Sequence, residues 1–207
     1  MIHLKSVAVV AAGLTLSACS VLKSPDPIQT YRFGNAPAYA TTAQRGEACQ
    51  EKTVGLRRID FDQASRGDQL LTVTGFETAY IGGARWIVPA SELFEGALFE
   101  GFAAGAPCLK VTNGLTRDGL SLAVEVRRFE TVYDAPGQVP AIRVVATAKL
   151  LRPGDRSVVA EERFEVMERA SSNRVASIVT SYEAATGEAV RMIVDWTRLA
   201  VDQAPAA

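Results

Sequence analysis

The sequence predicts a single α+β domain in which two principal helices pack on a mainly antiparallel sheet. The chain has 207 residues, the length of one domain with a sizeable core. Three segments in its middle third alternate apolar and polar residues with period two, and turn residues separate them, at Pro136–Gly137 and Pro153–Asp155. This pattern indicates an antiparallel meander covered on one face, with strands over 120–126, 142–150 and 158–166.

A first helix is predicted between Ser91 and Gly105. Apolar residues recur in this stretch at steps of three and four, so they form one stripe of a helix, namely Phe94, Ala97, Leu98 and Phe102. Ser91 precedes the stripe and is expected to cap the helix, because its side-chain oxygen can accept a hydrogen bond from an unpaired backbone N–H.

A longer helix is predicted from about Asn173 to Leu199, with Ser171 or Ser172 as its cap. Its apolar face consists of Val175, Ile178, Val179, Tyr182, Ala185, Ala189, Ile193, Trp196 and Ala200. Gly187 costs up to about 1 kcal/mol relative to alanine, so a bend or an interruption is expected there. Residues 201–207 are predicted to be a disordered tail.

The N-terminal half is expected to supply shorter strands. Residues that favour β-structure predict strands over 29–33, 53–61 and 69–76. Residues 77–81 are expected to lead into the Gly82–Gly83 pair. We expect that pair to be a flexible joint, followed by a short extended piece that Pro89 keeps out of helix.

An apolar run from Val7 to Leu16 has the length of the apolar region of a secretory signal and is too short to span a bilayer. It ends in Leu16-Ser17-Ala18-Cys19, which resembles the lipobox of bacterial lipoproteins. The resemblance implies that Cys19 is acylated and becomes the first mature residue, and that Ser20 directs the protein to the outer membrane. The alternative is an ordinary signal peptide with a chance cysteine near the cut.

These features divide the chain into four parts. Residues 1–18 are predicted to be a lipoprotein signal peptide and residues 19–28 a lipidated tether, since the latter hold Pro25, Pro27 and little that could pack. Residues 29–200 form the predicted domain and residues 201–207 its tail.

Composition argues against several classes of function. The formal charge of -1 gives no general electrostatic reason to bind nucleic acid. His3 is the one histidine and lies in the predicted signal peptide, so the mature chain lacks a histidine-activated nucleophile or a histidine-ligated zinc site. Gly82–Gly83 has no following Lys-Ser or Lys-Thr, unlike a phosphate loop. We therefore predict no cofactor, no metal site and no enzymatic activity, although paired-carboxylate chemistry stays open.

Two further cysteines, Cys49 and Cys108, are predicted to form a disulfide, because an exported chain occupies a compartment that permits one. The bond would close a loop of about 60 residues, worth about 4 kcal/mol in the chain-entropy description. Two separate buried thiols are the alternative.

The order of these parts resembles the ABC-type transport auxiliary lipoproteins. The residues that carry the resemblance are Tyr31, the Arg85-Trp86 pair with Pro89, the helix over 93–102, Val124 to Glu130 in the meander, and Trp196. The resemblance implies an outer-membrane, periplasm-facing lipoprotein that partners a mammalian-cell-entry (MCE) type lipid transporter. Expected partners are the membrane, the periplasmic MCE-type protein with its permease and ATPase, and phospholipid; a homo-oligomer stays open.

Arg85 and Trp86 are the predicted site of partner or lipid contact, because an aromatic residue beside an arginine is typical of interaction hot spots. A core position for Trp86 is the favoured alternative. Arg57, Arg58, Arg127 and Arg128 could form a basic strip for acidic partners or lipid head groups, or be ordinary solvated charge. A structural tether and a histidine-independent envelope hydrolase are the alternative functions.

Overall fold

The computed structural model describes residues 27–34, 51–114 and 119–204. These residues form one nine-stranded sheet and two helices. In chain order the elements are β1 Gln29–Tyr31, β2 Lys52–Leu56, β3 Asp60–Phe61, β4 Gln69–Thr74, β5 Glu77–Trp86, α1 Ala90–Gly105, β6 Leu109–Asn113, β7 Leu120–Tyr133, β8 Ala141–Leu151, β9 Val158–Arg169 and α2 Val175–Gln203.

The predicted meander is confirmed in strands β7, β8 and β9. Strand β7 pairs antiparallel with β8 from Ser121↔Leu151 to Val132↔Ala141, and β8 pairs antiparallel with β9 along its whole length. The apolar residues of the alternating pattern face the helices. Val126, Ala146 and Leu150 are fully buried there, so period two identified the covered face correctly.

The second edge of β7 makes the sheet mixed, and the prediction of a mainly antiparallel sheet is wrong. Strand β7 is 14 residues long, and β2, β3 and β4 pair with it one after another, all in parallel. Strands β1 with β5 and β2 with β6 are parallel as well. Alternation reports which side chains face the core, but it carries no information on the direction of the neighbouring strand.

Two expected strand boundaries also change. The segment predicted as one strand from Thr53 to Phe61 is two short strands, β2 and β3, which pair with different parts of β7. Conversely, the Gly82–Gly83 pair is not the flexible joint that was expected between two segments. Strand β5 runs through it without interruption, and Gly83 takes a positive φ of 71° that glycine adopts without strain.

Helix α1 begins at Ala90, one residue before the predicted cap. Pro89 occupies the N-cap position and no side chain caps the helix, so the expectation for Ser91 is wrong. The Ser91 hydroxyl instead donates to the backbone oxygen of Arg66 at 3.2 Å. The predicted apolar stripe is confirmed, since Phe94, Leu98 and Phe102 are buried.

Helix α2 is continuous from Val175 to Gln203, without the interruption expected at Gly187. Apart from its chain neighbours and the backbone of its own helix, no atom lies within 4 Å of where a Cβ on Gly187 would stand, so close packing does not require a glycine there. Val201 is buried and belongs to the helix, which means that the predicted tail begins too early. Residues 205–207 lie outside the described residues. In the described part of the chain, no helix combines the length and apolarity needed to cross a membrane.

The two helices approach each other closely at Gly101 of α1. A Cβ at this position would overlap Val190 Cγ1 of α2 and would lie 3.5 Å from Val194 Cγ2. Val190 and Val194 are themselves buried. Glycine at position 101 therefore permits the contact between the helices.

An aromatic cluster lies between the helices and the sheet. Phe129 of β7 is at its centre, with ring centroids 5.1 Å from Phe33, 5.5 Å from Phe61 and 4.8 Å from Tyr182. The Tyr182 hydroxyl accepts a hydrogen bond from Thr131 Oγ1 at 3.1 Å, so this fully buried ring has a polar partner. Burial raises the pKa of Tyr182, which keeps this phenol neutral.

Candidate functional site: an arginine-lined groove

A groove of about 730 Å³ lies on the face of the sheet opposite the helices. Strands β7, β8 and β9 and the chain around β3 supply its walls. Five of its lining residues are arginines and three are acidic. The arginines are Arg66, Arg127, Arg128, Arg143 and Arg163, and the acidic residues are Asp60, Asp62 and Glu125. Among the lining residues alone, positive charges therefore outnumber negative ones by two.

A β-bulge in β7 brings two consecutive arginines to this face. Val126 pairs with Ala146 and Arg128 with Val145, so Arg127 is an extra residue without its own partner on β8. Arg127 and Arg128 are both exposed, while Val126 and Phe129 on either side are buried. A regular strand would have pointed one arginine of the pair into the core, and the bulge prevents this.

Carboxylates hold several of these guanidinium groups in place. Arg127 Nη2 lies 2.8 Å from Glu125 Oε2. Glu165 receives both Arg143 and Arg163, each at 2.9 Å. Hydrogen bonding from Arg143 lowers the pKa of Glu165, and Arg163 adds to the effect. The single carboxylate of Glu165 thus pairs with two guanidinium groups, so it balances only one of their two positive charges.

Glu130 lies beside the groove and is almost buried. Its nearest cation is Arg128, with 3.9 Å between Oε1 and Nε, and its strand partner is Arg143. Burial raises the pKa of Glu130, although Arg128 and Arg143 oppose the shift. The environment therefore disfavours a negative charge at this position next to the arginines.

A second, smaller groove of about 420 Å³ adjoins the first, and the two share Asp60, Phe61 and Arg66. Arg58 lines it on one side, and Glu92 and Glu95 of α1 on the other. Of the basic strip expected from the sequence, Arg127 and Arg128 line the first groove and Arg58 the second. Arg57 lines neither of these two.

The chemistry of the first groove suits recognition of an anion. A planar guanidinium donates two parallel hydrogen bonds to a phosphate or carboxylate, and several arginines around one concavity can surround such a group. Among the described residues, no set of three or more potential ligands is grouped to hold a metal ion. The groove has the groups needed for binding an anion.

The predicted contact residues Arg85 and Trp86 lie elsewhere. The Trp86 side chain is 2% exposed and packs edge-on against Phe33 and Tyr182, at 4.9 and 5.1 Å. It is a core residue, as the alternative interpretation held. Arg85 is half-exposed and pairs with Asp68 at 3.0 Å, so it alone of the two can reach a partner.

The cysteines of the predicted sites are only partly described. Cys19 and Cys49 lie outside the described residues. Cys108 precedes β6, and its backbone oxygen accepts a hydrogen bond from the Lys52 amide at 3.0 Å. The chain that enters β2 therefore runs directly beside Cys108.

Sequence reasoning found Arg127 and Arg128 but not the groove. Arg143 and Arg163 were overlooked because each is a single charge on the polar side of an alternating strand, which is the ordinary pattern of a solvated face. A usable signal was present in β7. The buried positions change parity between Val126 and Phe129, and such a change indicates a bulge.

Crystal structures of similar fold come from several sources. A Xanthomonas campestris protein of the DUF330 family is 24% identical, with 86% of this chain and 95% of that chain covered and a TM-score of 0.68. An uncharacterised protein is 13% identical, with 82% and 99% covered and a TM-score of 0.62. A hypothetical protein from Chlamydia trachomatis is 10% identical, with 73% and 98% covered and a TM-score of 0.53. These identities support the fold alone.

Sequence comparison is more informative about the family. No curated protein matches the chain. The model of one family, the ABC-type transport auxiliary lipoprotein component, matches residues 31–194, which include both helices in large part and every strand from β2 to β9. The chain therefore belongs to the family of ABC-type transport auxiliary lipoprotein components.

Proposed function

We propose that this protein is the non-enzymatic outer-membrane lipoprotein of an MCE-type intermembrane lipid transport system, and that its arginine-lined groove is where it meets the rest of that system. Family membership supplies the association with ABC-type transport. The observation that carries the proposal is the groove itself, where five arginines face three carboxylates on the sheet face without helices.

The occupant proposed for the groove is an anionic group, either a lipid phosphate or an acidic side chain of the periplasmic carrier. Both are ligands that guanidinium groups bind in pairs. Because four of the five arginines are solvent-exposed and Arg143 is partly exposed, this attraction is expected to weaken as the salt concentration rises. The groove is open and about 730 Å³ in volume, so a head group or a short acidic segment fits within it.

Membrane anchoring through Cys19 is part of the same proposal, with Ser20 directing the protein to the outer membrane. An anchored domain is confined near one membrane, and confinement raises its effective concentration toward any component that approaches that surface. A modest interface at the groove would then be sufficient to hold a periplasmic carrier there.

Photocrosslinking in living cells tests the groove. A photoreactive residue at Arg128 is expected to capture either phospholipid or the MCE-type protein, and the mass of the adduct distinguishes the two. The matched control is the same residue at Arg198, which is exposed on α2, away from the groove. Equal adducts from both positions, or none from Arg128, would refute the assignment. A third position at Arg85 tests the other predicted contact.

A charge reversal supplies a second readout. With the photoreactive residue kept at position 128, the double variant Arg127→Glu, Arg163→Glu is expected to lose the captured anion and to impair lipid transport, with the folded state preserved because both side chains are exposed. Arg198→Glu changes the net charge in the same direction and is expected to leave capture intact. Loss of capture in both variants would point to a general charge effect instead of the groove.

A further inference from the structure

The turn between β4 and β5 carries the most exposed large apolar side chain of the described residues. Phe76 is fully exposed at this turn, next to Gly75, whose φ is 59°. A phenylalanine in this position buries none of its ring within the domain. Leaving so much apolar surface in water is unfavourable, by about 25 cal/mol for each Å².

A second exposed apolar residue lies at the same end of the sheet. Strand β4 pairs in parallel with the end of β7, Thr74 opposite Tyr133, so the turn after β4 lies beside the loop after β7. That loop carries Val139, which is 38% exposed. The last residue of β9, Arg169, also reaches this end, since it pairs with Ala141 at the start of β8. We call this end of the domain, defined by Phe76 and Val139, the apolar end.

The chain enters the domain at β1 from the same side. Strand β1 pairs in parallel with β5, Gln29 opposite Ala84. The chain before Gln29 therefore leaves the sheet toward the start of β5, which is the apolar end. Ile28, the residue just before β1, is exposed as well.

The segment from Cys19 to Gln29 is long enough for both Cys19 and the turn at Phe76 to reach one membrane surface. From Ala84 back to Glu77 the strand measures about 23 Å. The chain from Cys19 to Gln29 can span at most about 36 Å. A lipid-bound Cys19 can therefore lie at or beyond the level of Phe76, so that the membrane surface and the turn can meet.

We propose that the apolar end rests on the membrane to which the protein is anchored, with Phe76 inserted between the lipid head groups and Val139 beside it. The inference rests on the anchoring part of the proposed function. The acyl chains and the turn then form two separate attachments, and two attachments fix the orientation of a domain that a flexible tether alone leaves free to rotate. Amphipathic contacts of this kind are typical of proteins that lie on a membrane surface.

Fluorescence quenching in vesicles tests this inference. The full-length acylated protein, as Phe76→Trp, is reconstituted into phosphatidylethanolamine–phosphatidylglycerol vesicles with and without brominated acyl chains. Brominated lipid is expected to cause a loss of emission beyond that of the wild type, which has the buried Trp86 and the partly buried Trp196 of α2. The matched control is Val158→Trp. Val158 is also exposed, but it opposes Leu151 at the other end of the sheet, so no added quenching is expected.

Each outcome decides a different point. Equal quenching of the two variants overturns the inference. A blue-shifted emission from Phe76→Trp that brominated lipid does not quench also overturns it, because it would place the ring against protein, such as a second copy of the chain. Flotation of the wild type with the vesicles, compared with Cys19→Ser, reports anchoring independently. Loss of flotation only in Cys19→Ser supports the anchor, whereas flotation of neither protein overturns the anchor and this inference together.

Discussion

Replacing Gly101 by alanine tests how closely α1 and α2 must pack. The new Cβ would overlap Val190 Cγ1 and would lie 3.5 Å from Val194 Cγ2. Val190 is 1% exposed, so it has no free space into which to move. The helices must therefore separate or one side chain must leave its preferred rotamer.

Two effects of opposite sign determine the result. Alanine is favoured over glycine inside a helix by about 1 kcal/mol. Overpacking a filled core costs about 1–3 kcal/mol. Gly96→Ala in the same helix isolates the first effect, because nothing lies within 4 Å of its Cβ position. We expect Gly96→Ala to stabilise the protein and Gly101→Ala to be about 1–3 kcal/mol less stable than Gly96→Ala.

Urea denaturation measures both free energies of unfolding, provided that the slope with denaturant is unchanged between variants. The double variant Gly101→Ala, Val190→Ala is expected to recover part of the loss, since it removes the overlapping methyl groups, although it also opens space elsewhere. If Gly101→Ala stabilised the protein as much as Gly96→Ala, the close approach of the helices would be refuted.

Two other predictions concern titration and covalent structure. Burial raises the pKa of Glu130 in the folded state above the ordinary value of a glutamate, so its contribution to stability is fully present at pH values below that ordinary value and is lost as the pH rises through the folded-state pKa. Glu130→Gln is therefore expected to be more stable relative to the wild type at pH 7 than at pH 4, and a constant difference in urea midpoints would contradict this. For the disulfide, alkylation of the unreduced protein is expected to modify neither Cys49 nor Cys108, as the Lys52 amide bonded to Cys108 brings the two segments together. Two alkylated thiols in the mass spectrum would show that the pairing is wrong.

Helices and strands could be predicted from the sequence where a pattern within one segment defines them. The strands of the meander and the apolar faces of both helices follow from spacing along one segment, and each is confirmed by burial in residues such as Val126, Phe94 and Ile178. The order of the strands does not follow in this way. The parallel pairing of β2 with β7 joins Val54 to Leu120, and the energy that selects it comes from packing between distant segments.

The candidate site likewise combines residues that the sequence indicated with residues that only the fold brings together. The Arg127–Arg128 pair was visible in the sequence, yet its role depends on Arg143, Arg163 and Arg66, which three other parts of the chain contribute. Trp86 shows the reverse case. Its neighbour Arg85 made it a candidate for partner contact, although a core position was the favoured interpretation, and the ring packs in the core against Phe33 and Tyr182, neither of which is adjacent in sequence.

The position of β7 has a consequence for how the chain folds. One of its edges is satisfied by β8, which follows directly in sequence, and the other by β2, β3 and β4, which precede it by a long stretch that includes α1. Local contacts close faster than distant ones, so the meander and α2 are expected to form first. During that interval the second edge of β7 has unpaired backbone groups, which makes it a template for association with other chains. Strands β2, β3 and β4 precede β7 in the chain and lack this partner until β7 is available, so the risk of association during folding lies at this edge of β7 and at the three strands that complete it.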